Sequence, residues 1–102
     1  SQVRVTWDAA SCPSPDYNLL FGPLAAVSSM GIGGSACALG AGGVHDWSGV
    51  PAGDHFFLIV GIGDFPLYES SWGTDSFGNE RNGTRPSREC GALVKSTSLT
   101  CP

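Results

Sequence analysis

The residues of this sequence with the most clearly defined chemistry are its four cysteines, Cys12, Cys37, Cys90 and Cys101. None of them belongs to a CxxC pair, and the two histidines, His45 and His55, lie away from them in sequence, so the spacing does not favour a zinc site. In a small, glycine-rich chain with few charges, two disulfides are the favoured interpretation, and disulfides persist outside the cytoplasm. We therefore predict an extracellular or cell-surface protein without free thiols, whose secretory signal, if it had one, has been removed.

Catalysis would require a nucleophile within reach of a base, and the sequence offers little of that arrangement. His45 stands beside Asp46, but there is no GxSxG motif and His45 falls in a predicted loop. His55 is interpreted as a partly exposed residue at the start of a strand. The segment Gly31–Gly43 contains no GxGxxG or phosphate-loop motif and is interpreted as a flexible connection. We predict no enzymatic activity and no cofactor.

Oxygen ligands for calcium occur in a turn-rich segment, at Asp75, Asn79 and Glu80. Their spacing does not match the calcium loop of a helix-loop-helix site, and carboxylates beside glycine are typical of turns, so we predict no metal site. The same segment carries three arginines, Arg81, Arg85 and Arg88. They are interpreted as a solvated loop, with an acidic face of a neighbouring subunit as the alternative. Asn82 begins a glycosylation sequon.

Aromatic side chains can form a platform for a sugar ring, and the candidates are Trp7, Trp47, Tyr68 and Trp72. Trp7 alternates with Val3 and Val5, so we expect it in the core. Trp47 and Trp72 are expected on the surface, which makes them candidate interaction residues for a carbohydrate.

Length, composition and charge restrict the class of protein that must position these residues. The chain has 102 residues, enough for one domain, and its 15 glycines and 7 prolines do not favour long helices. A net charge of −4 argues against nucleic acid and anionic membrane surfaces as partners. The longest apolar run, Phe56–Val60, is far shorter than the roughly 20 residues of a membrane span.

Hydrophobic alternation predicts an all-β domain. The segments predicted as strands are Gln2–Asp8, Tyr17–Phe21, Ser35–Leu39, His55–Ile62, Tyr68–Trp72 and Leu93–Thr97. His55–Ile62 is apolar on both faces and is therefore predicted as the central strand. Leu24–Met30 is ambiguous between an edge strand and a helical turn, and the strand is favoured. Short strands separated by turns at roughly ten-residue spacing are typical of a β-sandwich.

Four stretches together carry a resemblance to a known family: Val3–Asp8, Tyr17–Gly22, Val50–Gly53 running into Phe56–Val60, and Glu69–Ser76. Their order resembles that of the fibronectin type III-like modules of bacterial secreted and surface proteins, over about residues 3–80. The resemblance implies an immunoglobulin-like β-sandwich with a structural or interaction role. In these terms the chain divides into a sandwich, residues 1–88, and a disulfide-closed C-terminal β segment, residues 89–102.

The resemblance also bears on the cysteines. It places Cys12 and Cys37 at the same end of the sandwich, and so implies a Cys12–Cys37 disulfide. Cys90 and Cys101 would then close the C-terminal segment, although the crossed pairings stay open.

The chain departs from the family in lacking strand A, and it carries a surplus β segment, Gly91–Thr100. We predict that this segment fills the sheet edge left open, in an adjacent subunit, with pairing in its own molecule as the alternative. The predicted interaction residues are Leu93, Val94, Lys95, Trp47 and Trp72. The predicted function is that of a non-enzymatic extracellular structural protein that assembles with copies of itself into a filament. The alternative is an adhesion module of a larger surface protein, with a carbohydrate or a protein as its ligand.

Overall fold

The computed structural model describes residues 2–11, 13–63 and 68–100, with the side chains of 97–100 left undescribed. The strands within these ranges are β1 (Val3–Thr6), β2 (Asp16–Pro23), β3 (Gly34–Ala36), β4 (Val44–Trp47), β5 (His55–Gly63), β6 (Tyr68–Ser71) and β7 (Val94–Thr100). Two short 3-10 helices accompany them, η1 (Leu24–Ser29) and η2 (Glu89–Gly91). None of the described helices is long and apolar enough to cross a membrane.

The strands form two sheets. One has five strands in the order β3-β2-β5-β6-β7, and the other pairs β1 with β4. The described neighbours are antiparallel except β6 and β7, which run parallel. The chain is therefore all-β with little helix, as the sequence predicted.

Both faces of the five-stranded sheet are covered, because alternate residues of β2 and β5 point to opposite sides. One face packs against the two-stranded sheet through Val5, Leu19 and Trp47. The opposite face carries a second cluster, formed by Leu20, Val60, Ile62, Trp72 and Ala92. The prediction of a central strand at His55–Ile62 is confirmed, since β5 lies between β2 and β6 with apolar neighbours above and below it.

The two-stranded sheet contains a strand that the sequence did not predict. β4 pairs with β1 so that His45 lies opposite Val5, whereas His45 was expected in a loop. Glycines on either side of Val44–Trp47 hid this strand in the sequence. Arg4 and Asp46 form an exposed ion pair across the two strands, with 2.8 Å between Nε and Oδ1.

The segment Leu24–Met30 is a 3-10 helix and its end, so the favoured assignment as an edge strand is wrong. The N–H of Met30 donates to the carbonyl of Val27, and the N–H of Gly31 donates to that of Ala26. This turn lies directly on the end of β2. A Cβ at Gly22 would lie 2.0 Å from the carbonyl oxygen of Gly31, so only glycine allows the close approach.

The described disulfide joins Cys37 to Cys90, with 5.9 Å between the Cα atoms. The implied Cys12–Cys37 and Cys90–Cys101 pairings are therefore wrong. The physical reason is that η2 contacts β3, which brings Cys90 to the residue that follows β3. Cys12 and Cys101 lie outside the described residues, so the absence of free thiols from the whole protein stays a prediction.

The C-terminal strand β7 pairs with β6 of its own chain. Tyr68 lies opposite Val94 and Glu69 opposite Lys95, with an irregularity after Ser70. Residues 89–102 are thus not closed on themselves by a Cys90–Cys101 bridge, because Cys90 is joined to Cys37. Between Cys90 and β7 the chain crosses from the β3 edge to the opposite edge of the sheet. We call residues 91–93 the strap, and its Ala92 is completely buried.

Candidate functional site at the β6–β7 edge

Lys95 is the centre of this edge. Its side chain is completely buried, and Nζ lies 2.9 Å from Oε2 of Glu80. Nζ also donates to the carbonyl oxygens of Arg81 at 2.6 Å and Gly83 at 2.9 Å. All three N–H groups of the ammonium thus have acceptors, and all three acceptors belong to the loop that follows β6. Lys95 therefore joins this loop to the C-terminal strand.

Trp72 lies beneath the ammonium group. Nζ of Lys95 is 4.4 Å from the centroid of the indole ring, which is within the range of a cation–π interaction. The indole Nε1–H donates to Oε1 of Glu69 at 2.8 Å. The tryptophan thus contacts a cation with its face and an anion with its edge, as its charge distribution favours.

Glu69 is completely buried, and its acceptor capacity is used by donors in the loop. Besides Trp72, the backbone N–H of Ser87 donates to Oε1 at 2.6 Å, and the Ser87 hydroxyl donates to Oε2 at 2.7 Å. A buried carboxylate is costly unless such donors surround it. Glu69 on β6 therefore fixes both ends of the loop, at Trp72 and Ser87, and Lys95 on β7 fixes its middle.

Glu80 completes the network. Its carboxylate accepts hydrogen bonds from the hydroxyl of Ser71 and from the N–H of Trp72, the latter at 2.8 Å. Burial raises the pKa of Glu80, but the hydrogen bonds from Ser71, Lys95 and Trp72 outweigh burial, so the pKa lies below its ordinary value. The carboxylate is therefore charged when it faces Lys95.

Acid is expected to destabilise the protein through Glu80. Because its pKa is lower in the folded state, its contribution is complete above the ordinary value of 4.5 and is lost as the pH falls through the lower folded value. Urea unfolding between pH 7 and pH 3 should show a smaller decline for Glu80→Gln than for the wild type. Asp46→Asn is the comparison at an exposed ion pair: Arg4 lowers the pKa of this carboxylate too, but solvent screens the pair, so the decline should change less than in Glu80→Gln. An unchanged slope in Glu80→Gln would contradict the expectation.

The chain enters the strap through strained backbone. Arg88 and Cys90 have φ values of 62° and 57°, in the left-handed region that non-glycine residues rarely adopt, and Gly91 follows with 80°. Cys90 is also held by the disulfide to Cys37. Residues 88–90, before the strap, therefore combine a strained backbone with a covalent link to the β3 edge.

The predicted interaction residues are divided by the structure. Leu93 and Val94 are exposed, by 69% and 48%, at the beginning of β7. Lys95 is buried, which corrects its assignment as a surface contact. Trp47 and Trp72 are buried as well, with exposures of 6% and 4%, so the expectation that they form a surface platform is wrong. The two-stranded sheet covers Trp47, whereas Lys95 and the strap cover Trp72.

The residues weighed for other chemistry lie in separate places. Oδ1 of Asp75 accepts the N–H groups of Phe77 and Asn79 in a turn, and Glu80 is engaged with Lys95. Nη1 of Arg81 donates to the carbonyl of Trp72. Nδ1 of His55 lies 3.2 Å from the carbonyl oxygen of Gly53 at the beginning of β5. Sequence reasoning missed Glu69 and Ser87 altogether, although a lone acid in an otherwise uncharged predicted strand was a signal for Glu69.

Comparison with known proteins gives no relative. No family model matches the chain, and no curated protein or solved structure matches it. Its function is therefore inferred from the β6–β7 edge.

Proposed function

We propose that this protein is a non-enzymatic extracellular structural protein whose molecules assemble by exchanging the C-terminal strand β7. The observation that carries the proposal is that β7 is the last described strand and lies at the edge of its sheet, paired with β6 alone. Each contact that β7 makes with β6 and the loop can be made by the β7 of a neighbouring molecule. Exchange therefore needs no interface beyond the one that the single chain already has.

The strand order supports a fibronectin type III-like sandwich as the fold that is exchanged. Two-stranded pairing of β1 with β4, and the order β3-β2-β5-β6 in the other sheet, correspond to strands B and E and to strands C′, C, F and G of an immunoglobulin-like domain. In these terms β7 lies beyond strand G. The outer edge of β1, where strand A would lie, pairs with none of the described strands.

The disulfide supports exchange because it separates the strand that moves from the fold that stays. Cys90 is bonded to Cys37, so the movement is limited to the chain beyond Cys90. The left-handed backbone of Arg88 and Cys90 lies on the fixed side of this boundary and is kept. Gly91, with a φ of 80°, is the first residue beyond it, and as a glycine it adopts other backbone angles at little cost.

Lys95 supplies specificity for the exchanged strand. A neighbouring β7 must present a cation to Glu80, to two carbonyl oxygens and to the face of Trp72. A strand with another residue at this position leaves the carboxylate without its partner. Non-reciprocal exchange adds molecules without closing, which makes a filament, whereas reciprocal exchange makes a dimer.

The experiment removes the donor strand and then returns it. The shortened chain ends at residue 93 and carries Cys12→Ser, so that Cys37 and Cys90 are its two remaining cysteines. It retains the buried Ala92 and the three groups that accept hydrogen bonds from Lys95. We expect the full chain to form oligomers in analytical ultracentrifugation and the shortened chain to be monomeric. A synthetic peptide of residues 94–102 with Cys101→Ser should bind the shortened chain, with a change in the fluorescence of Trp72.

The matched control is the same peptide with Lys95→Met, which keeps the length and apolar stem of the side chain. We expect it to bind at least about tenfold more weakly, since a desolvated charge pair contributes more than about 1.4 kcal/mol. Equal binding of the two peptides, or oligomers of the shortened chain, would contradict strand exchange. A full chain that stays monomeric at every concentration would contradict assembly itself.

A further inference from the structure

A second sheet edge, distinct from β7, is open in the middle of the five-stranded sheet. β5 extends over His55–Gly63, but β6 pairs with it only at Ile62 and Gly63. β6 ends at Ser71. Along Phe57–Ile59 no described strand lies on this side of β5, although β2 pairs with the other side throughout. Burial follows the same division, since Val60–Gly63 is buried and Phe57 is 46% exposed.

Backbone groups at this edge are directed into the opening. The N–H of Gly61 points toward β6, where it donates to the hydroxyl of Ser70 at 2.9 Å. In an antiparallel sheet alternate residues direct their N–H and C=O groups to the same neighbour. The N–H and C=O groups of Ile59 and Phe57 therefore face the same side as those of Gly61, where the described pairing with β6 does not reach them and no described turn hydrogen bond does either.

Two cavities flank this edge, one on each face of the sheet. The first, of about 520 Å³, is lined by Met30, Phe56, Phe57 and Leu58, with Arg81 and Arg85 at its polar side. The second, of about 490 Å³, lies under Trp7, Ile59 and Trp72. They share Phe57, Leu58 and Arg81. A strand added to β5 would direct alternate side chains into the two cavities, as occurs when a peptide extends a sheet.

The charge of the first cavity indicates the chemistry of the peptide. Neither Arg81 nor Arg85 is in an ion pair, because the described ion pairs are Arg4–Asp46 and Lys95–Glu80. Asp75 also lines the cavity, and Glu80 is neutralised by Lys95. Two arginines against one unneutralised carboxylate make this cavity locally positive on a chain whose net charge is −4. An acidic side chain is therefore the complementary one.

We propose that the open edge of β5 at Phe57–Ile59 binds an extended peptide of another protein, which adds as a strand, places its side chains alternately in the two cavities and directs an acidic side chain to Arg85. This site is separate from strand exchange, since it uses the edge of β5 and leaves the pairing of β6 with β7 unchanged. The peptide would be held by main-chain hydrogen bonds to β5 and selected by the charge of its side chain.

The test uses a capped seven-residue peptide that alternates valine with threonine and has a central glutamate. Its matched forms carry lysine instead of glutamate, or N-methyl groups on alternate amides. Hydrogen exchange followed by NMR should show at least about tenfold slower exchange of the Phe57 and Ile59 amides with the glutamate peptide. The Leu58 amide, which faces β2, should not change. The peptide with N-methyl groups on the side facing β5 should give no protection.

Arg85→Glu should lower affinity for the glutamate peptide about fivefold and favour the lysine peptide, as expected for reversal of a partly exposed pair. Arg88→Glu is the control of equal charge, because Arg88 does not line the cavity. The proposal is overturned if millimolar peptide leaves Phe57 and Ile59 unprotected, or if protection falls on β1, β3 or β7 instead. It is also overturned if protection appears without peptide on raising the protein concentration, since a second copy would then be the occupant.

Discussion

Replacing Cys37 and Cys90 together by serine is expected to lower the free energy of unfolding by about 4 kcal/mol. The disulfide joins residues separated by 53 positions, and a loop of this size loses much of its entropy in the unfolded chain when it is closed. A domain of this size has a total stability on the order of 5–15 kcal/mol, so the change is a large share of it. We expect the variant to have a lower denaturant midpoint and a lower melting temperature than the wild type.

The control for this variant is Ser35→Ala, which changes the surroundings of the disulfide without removing the crosslink. The Ser35 hydroxyl donates to Glu89 at 2.8 Å and lies 3.5 Å from the sulfur of Cys90. Its loss should cost no more than about 1 kcal/mol. Urea unfolding of both variants decides the matter. Equal midpoints for the double serine variant and the wild type would show that the crosslink does not stabilise the fold.

Lys95→Met is expected to destabilise the protein by about 3 kcal/mol, because it removes one partner of a buried pair. The methionine fills much of the same volume but leaves the Glu80 carboxylate and the carbonyl oxygens of Arg81 and Gly83 without their donor. Trp72 loses the cation on its face as well. The cost therefore comes from the charge of Glu80, which stays without a counterion, and from two carbonyl oxygens that lose a donor.

A double-mutant cycle with Glu80→Gln tests this explanation. The double variant should be less destabilised than the sum of the two single variants, since removing both charges leaves neither uncompensated. The same unfolding measurement serves for all three variants. Additive losses would show that Lys95 and Glu80 stabilise the fold independently, and would remove the basis for Lys95 as the specificity residue of β7.

Strands in which apolar and polar residues alternate strongly were predictable, because this alternation follows directly from which side chains are buried. The apolar faces of β5 predicted a central position, and the structure gives it neighbours on both edges. β4 was missed because the five residues between Gly43 and Gly49 carry too little pattern to distinguish a strand from a loop. Leu24–Met30 was wrong for a similar reason, since the hydrogen bonds that close η1 depend on the approach of Gly31 to Gly22.

The candidate site was less predictable, because its residues are brought together by the fold. Lys95 lies in a β-favouring run, where a charge normally indicates a solvated face. Its partner Glu80 comes from a turn-rich loop whose position the sequence does not specify. Trp72 was expected on the surface for the same reason, since nothing local indicates that Lys95 and the strap cover it. The prediction of the cysteine pairing was wrong because Cys37 and Cys90 are brought together by the tertiary contact between η2 and β3, which no local sequence pattern indicates.

The strap also determines how the molecule responds to mechanical tension. A force applied to the C-terminal strand passes through Cys90 and its disulfide into Cys37, next to β3, and so bypasses the chain between them. The 53 positions between the two cysteines cannot contribute to extension while the bond is intact, which withholds about 180 Å of contour length at roughly 3.4 Å per residue. In a stretched assembly only the chain before Cys37 and after Cys90 could therefore extend while the bond is intact, and reduction would release the withheld length at once.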